Sequence, residues 1–182
     1  FLDWYVPKKI KKNDQNLLKK RLLLILKILI KKIKFSNKTF VHRDFHVSNL
    51  MIQNKKLCVI DSQDAVFGNI AYDVASLIDD VRLKTSIGFK RILLEEYIKT
   101  NKKINVKNFK NDFEILSVLR NLKIIGIFTR LSIRDKKDSY LKLIPHAWKL
   151  IEQRIDKDKK FIELKIILDK YFSKKTRNKY EN

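Results

Sequence analysis

The chain has 182 residues, 45% of them hydrophobic, which fits one compact domain with a buried core. Its 42 Lys and Arg against 20 Asp and Glu leave a net charge of +22, but the lysines are scattered and Arg is scarce, which disfavours a dedicated nucleic-acid surface. The single cysteine, Cys58, excludes an intrachain disulfide framework and a cysteine-based zinc site, and a reducing, cytoplasmic compartment is the expectation.

The N-terminal "FLDWYVPKK" lacks the basic-then-apolar order of a secretory signal. It does not start with Met, and Phe1, Leu2, Trp4 and Tyr5 call for cover, so the chain reads as a piece of something longer. A helix is predicted over about residues 14–34, with Asn13 or Asp14 as its cap. Its apolar run, residues 22–30, is broken by Lys27 and is far short of the about 20 residues that span a membrane, so no membrane partner is expected. "NKTFVHRDF" turns extended. "LMIQ" and "LCVI" predict a small hairpin turning at Asn54, with Cys58 a buried strand residue. "DSQDAVFGNIA" is expected to be loop, and "YDVASLIDDVRL" and "SIGFKRILLEEYIKT" helical.

Residues 109–133 carry the strongest helical periodicity, with Gly126 either a close approach or a weak spot. Pro145 breaks or restarts "YLKLIPHAWKLIEQRI", and "KKFIELKIILDKYF" forms a last helix. The tail from residue 174 to 182 is polar and expected to fray. The fold class is therefore α+β and mainly helical, with one small hairpin.

Chemistry concentrates in residues 41–65, "VHRDFHVSNLMIQNKKLCVIDSQDA". Asp44 and Asn49 precede the first hairpin strand, and Asp61 follows the second. A hairpin brings its two ends together, so the three side chains are expected to converge. Carboxylate and carboxamide oxygens suit Mg²⁺, which takes its remaining ligands from water and substrate phosphates, so ATP is the expected partner. Asp44 would accept the proton of a substrate hydroxyl. The order and spacing resemble the catalytic loop and metal-binding aspartate of protein kinases.

"HRDFHVSNLM" followed by "IDSQDAVFGNIAYDVASLI" resembles the aminoglycoside phosphotransferase and choline kinase-like family, and within it the bacterial cell-wall amino-sugar kinases. "FLDWYVP" and "RNLKIIGIFTRL" strengthen that likeness, which covers the chain to about residue 150. The resemblance implies a kinase-like large, C-terminal lobe over residues 1–173 and phosphotransfer to the anomeric hydroxyl of N-acetylmuramate or N-acetylglucosamine. It implies Asp44 as base, Asn49 and Asp61 as metal ligands, and His42 and Asp73 as supports of the catalytic loop. Asp73 is also an ordinary helix-start residue. Ser62 stands where relatives commonly carry an aromatic. With only Gly68, Gly88 and Gly126, widely separated, no phosphate-binding glycine loop exists here. The small ATP-binding lobe is thus expected to be missing, and the chain alone to be catalytically poor.

His46 either faces substrate or is simply polar. Asp64 is either an acid near the site or a loop cap. His42 and His46 lie four apart, but in a loop with no third Cys or His near, so zinc is not expected. Arg120 and Asn121 read as a buried helix brace, and Trp4 and Trp148 as core or interlobe packing. Competing functions are a kinase for an aminoglycoside, choline or homoserine, an inactive kinase-like scaffold, and a basic nucleic-acid-binding module. The last gives no reason for three oxygen donors to meet.

Overall fold

A computed structural model describes residues 1–180 and divides the chain into two compact units. One unit joins residues 1–32 to the chain from Val118 onward; the other is residues 33–117. The elements are α1 (Tyr5–Lys9), α2 (Lys12–Lys31), β1 (Thr39–Val41), β2 (Leu50–Gln53), β3 (Lys56–Val59), β4 (Val66–Gly68), α3 (Ala71–Ile78), α4 (Ile87–Thr100), α5 (Val106–Asp135), α6 (Ile144–Ile155), α7 (Ile162–Tyr171) and α8 (Lys174–Arg177). Three short 3₁₀ turns intervene, at Val47–Asn49, Asp138–Leu143 and Lys159–Phe161. The fold is mainly helical with small antiparallel strand pairs, the α+β class expected.

The first unit is built on aromatic packing. The rings of Phe1, Tyr5, Trp148 and Phe172 lie with centroids 5.2–6.0 Å apart, within the range for favourable aromatic pairs. The Trp148 indole donates to the Tyr5 hydroxyl at 3.2 Å. Burial, partly offset by that bond, pushes the Tyr5 phenol up to about 12. Gly126 is the close approach, not the weak spot: a Cβ there would lie 2.1 Å from the Phe1 nitrogen. Pro145 opens α6 in its first turn, where its missing N–H costs nothing.

α2 starts two residues earlier than predicted and ends three earlier. It buries only Leu18, Leu22 and Leu29, leaving Leu17, Leu23, Leu24, Ile28 and Ile30 exposed. The tail does not fray at Ser173, whose hydroxyl caps α8 by accepting the Thr176 N–H. Arg177, 5% exposed, is fixed by Glu152 at 2.6 Å, Asp169 at 2.7 Å and the Trp148 ring. The last two residues of the predicted tail lie outside the described residues.

The second unit carries both strand pairs. β2 and β3 form the predicted hairpin in the register Leu50↔Val59 to Gln53↔Lys56. Asn54 and Lys55 both take positive φ, 49° and 62°, which is the two-residue turn whose twist matches a hairpin. The segment expected to be loop contains β4, paired antiparallel with β1 from Thr39↔Gly68 to Val41↔Val66. Cys58 is half-buried rather than buried. Ala71, Ala75, Ile78, Phe109, Phe113 and Leu116 form the core beneath the strands' connections, with Leu94, Tyr97 and Ile98 against it. Among the described residues no helix is long and apolar enough to cross a membrane.

Candidate active site

Two loops face each other in the second unit. Residues 42–49 leave β1 and enter β2; residues 60–65 leave β3 and enter β4. Because Val41 pairs with Val66 and Leu50 with Val59, each strand pair closes one end of both loops. The hairpin ladder runs on for one more bond, the Ile60 N–H donating to the Asn49 carbonyl at 3.0 Å. The buried His42 reaches across, its Nε2 lying 3.0 Å from the Ile60 carbonyl. The Arg43 guanidinium donates to the Asp64 carbonyl at 3.2 Å. Two strand pairs and three hydrogen bonds thus bring Asp44, Asn49 and the segment carrying Asp61 to one place.

Local geometry orients the side chains. The Asn49 amide donates to the Asp44 carbonyl at 3.0 Å. That leaves the carboxamide oxygen as the free end of Asn49. The Asp44 carboxylate is half-buried and accepts no hydrogen bond from any described residue. Asp61 is exposed; one of its oxygens takes the Gln63 amide at 2.5 Å. Arg43 and Asp61 both adopt left-handed backbone, φ 72° and 71°. Neither is glycine, so each conformation costs about 1–3 kcal/mol and persists only where the surroundings impose it. Arg43 immediately precedes Asp44, and Asp61 is itself a candidate ligand.

Support comes from carboxylates aimed at main-chain N–H groups. Asp73, in the first turn of α3, accepts the His42 N–H at 2.6 Å and the Arg43 N–H at 3.1 Å. Its charge also helps hold the Tyr97 phenol above its ordinary range, after burial as the larger cause. Asp80, just past the end of α3 and 1% exposed, accepts the Val47 N–H at 3.0 Å. Asp112, fully buried on α5, takes the Lys34 and Phe35 N–H groups and the Asn69 amide, each at 2.8 Å. Asp79, also fully buried, is paired with Lys90 at 3.0 Å and accepts the Ser117 hydroxyl at 2.6 Å.

Sequence reading named Asp73 but missed Asp79, Asp80 and Asp112. The available signal was two adjacent acids closing an apolar helical run in a chain this rich in lysine.

Other expected residues fall differently. The carbonyl of Asp64, not its carboxylate, is engaged, and its side chain is exposed. His46 is buried, at 9% exposure. Ser62 accepts the Ala65 N–H through its carbonyl, closing a turn at an exposed position. Arg120 and Asn121 are buried on α5 in the other unit. Among the described residues no three His, Cys, Asp or Glu side chains are grouped to hold a metal ion. The oxygens left open on these two loops are the Asp44 carboxylate, the Asn49 carboxamide oxygen and the Asp61 carboxylate. That is the sparse, hard-oxygen set suited to a cation that keeps water and phosphate ligands.

Several named proteins are similar to this chain. N-acetylmuramate/N-acetylglucosamine kinase of Neisseria meningitidis serogroup B is 34% identical over 153 residues, 80% of this chain and 45% of that protein. The proteins of that name from Pseudomonas aeruginosa and Caulobacter vibrioides are 28% and 31% identical, over 90% and 76% of this chain and 50% and 39% of theirs. The chain spans about half the length, or less, of the curated relatives it matches. The sequence pattern of the phosphotransferase enzyme family matches residues 1–104, a stretch that holds both loops, both strand pairs and all of α3. On that match the chain belongs to the phosphotransferase enzyme family.

Proposed function

We propose that this chain is the large lobe of an ATP-dependent kinase that phosphorylates a small-molecule hydroxyl, with N-acetylmuramate or N-acetylglucosamine as acceptor at the anomeric position. The observation that carries it is the closure of both loops by the two strand pairs, with Asn49 turned on the Asp44 carbonyl so that its oxygen is free. Asp44 is the base that takes the acceptor's proton. Asn49 and Asp61 are the residues that hold Mg²⁺ with the nucleotide, and the chemistry Mg²⁺ supplies there is neutralisation of phosphate charge. His42 and Asp73 hold the loop from the two directions described above. The choice of amino sugar rests on the names of the relatives.

The small lobe that completes an ATP site is proposed to cover the outer faces of the strands. Phe40 and Phe67, directly paired across β1 and β4, are 64% and 76% exposed. Ile52 and Leu57, directly paired on the hairpin, are 81% and 66% exposed. Apolar surface of this extent on adjoining strand pairs marks a face that is covered in the working protein.

The test is an ATP-consumption assay on the protein carrying this chain together with a small lobe. It compares N-acetylmuramate, N-acetylglucosamine, choline and an aminoglycoside. Turnover with the two amino sugars is expected. Equal indifference to both would end the amino-sugar assignment, and nucleotide binding without turnover on any acceptor would mark an inactive scaffold.

A further inference from the structure

We propose that Asp80 is a positioning residue for the catalytic loop, holding the turn that carries Asn49 by accepting the Val47 N–H. The inference rests on the reading of Asn49 as a metal ligand, and it adds a residue that the loop motif does not contain.

The 3₁₀ turn Val47–Asn49 has no side-chain cap of its own, and its first N–H has no partner within the turn. Asp80 supplies that partner from the far end of α3. The division of labour between its two oxygens is specific. Oδ1 serves the local turn, accepting the Arg82 N–H at 3.0 Å, with the Arg82 guanidinium 3.4 Å away. Oδ2 serves the loop alone, accepting Val47 N–H at 3.0 Å across 33 positions of sequence.

Asp73 sits in the first turn of α3, and Asp80 lies two residues past its last residue. One grips the loop at His42 and Arg43, the other at Val47. The first turn of α3 and the turn just past its end therefore set both ends of the segment that presents Asp44 between them and delivers Asn49 two residues later. With Asp80 buried, the bond is sheltered from water and resists exchange for a solvent partner.

The deciding experiment follows amide hydrogen exchange and Mn²⁺ binding, read by electron paramagnetic resonance, in the 182-residue chain. The variants are Asp80→Ala, Asp80→Asn and Asn49→Ala. In Asp80→Ala the Val47 amide is expected to exchange at least tenfold faster, while the His42 and Arg43 amides, held by Asp73, stay within about twofold. Mn²⁺ affinity is expected to fall about tenfold. Exchange at Val47 within twofold of the parent, or equal acceleration at residues 42, 43 and 47, overturns the assignment, since the second pattern means general loosening.

If Asp80→Ala does not fold, Asp80→Asn decides, because its amide nitrogen cannot accept, so Val47 and Arg82, which use different oxygens of Asp80, cannot both keep their acceptor. Mn²⁺ affinity that falls in step with Val47 protection supports the role. Faster exchange at Val47 with Mn²⁺ affinity unchanged overturns it. Asn49→Ala separates the two claims: if it binds Mn²⁺ like the parent, the metal reading fails, and the contrast between Val47 and His42 exchange alone decides whether Asp80 positions the turn.

Discussion

His42 and Asn49 hold the same residue from opposite sides: the His42 ring meets the Ile60 carbonyl, and the Asn49 carbonyl receives the Ile60 N–H, each at 3.0 Å. Ile60 is thereby pinned, and the next residue, Asp61, is driven into a left-handed backbone at φ 71°. A carboxylate stands where glycine would be more comfortable.

That strain predicts a separation of stability from binding. Asp61→Gly removes the carboxylate but relaxes the backbone, so thermal stability should hold or rise, by up to about 1 kcal/mol. Mn²⁺–ADP binding should be lost. Calorimetry and a nucleotide titration on one preparation check both halves. A variant that is clearly less stable would show that φ at this position stores no strain.

Asp73→Ala should behave in the opposite way. It leaves the N–H of buried His42 and that of exposed Arg43 without their charged acceptor, and hydrogen bonds to charged groups contribute about 1.5–3 kcal/mol. Urea unfolding is expected to show a loss of about 2–3 kcal/mol. A loss below about 0.5 kcal/mol would show that the brace contributes nothing.

Gly126→Ala tests the packing of the first unit. The added methyl would overlap the Phe1 main chain, at 2.1 Å from its nitrogen and 2.8 Å from its Cα. Alanine favours helix by about 1 kcal/mol over glycine, yet the overlap should win, for a net destabilisation of about 1–3 kcal/mol. A melting temperature above the parent's would show that the helix preference prevails.

Three titrating groups shape the pH dependence of stability. Tyr5 ionises at about 12 when folded, above the ordinary 10 because of burial. Between those values the unfolded chain releases a proton that the folded chain keeps, so stability should fall as pH rises from about 10 towards about 12. Tyr5→Phe should flatten that slope. At the acid end Asp158 is held low, first by the Lys160 N–H, and Asp169 is held low because Arg177 and Lys165 outweigh its burial. These contributions are complete above the ordinary carboxylate range and are lost as pH falls through the lowered values. Arg177→Met should reduce the acid sensitivity. Stability measured by urea at pH 3, 6 and 11 checks both signs.

The hairpin and the helices were legible because each has a local cause: alternating apolar residues, Asn54 at a left-handed turn, Pro145 at a helix start. β4 was not, because Val66–Gly68 is three residues long and two of them are exposed, so its strand character comes only from its pairing with β1. Asp80 and Asp112 were missed for a related reason. Their partners are backbone N–H groups 33 and about 78 positions away, and a carboxylate that caps a distant loop looks, in sequence, like any surface acid. Asp64 shows the converse, since its side chain drew notice while its carbonyl makes the contact.

The most direct measurement is paramagnetic broadening of the amide spectrum of the isotope-labelled chain on adding Mn²⁺–ADP. Selective loss of the signals of residues 44, 49 and 61, with the Asn49 side-chain amide among the first to vanish, is the predicted result. Broadening centred elsewhere on the surface, or none at millimolar Mn²⁺–ADP, would contradict a shared metal–nucleotide site between the two loops.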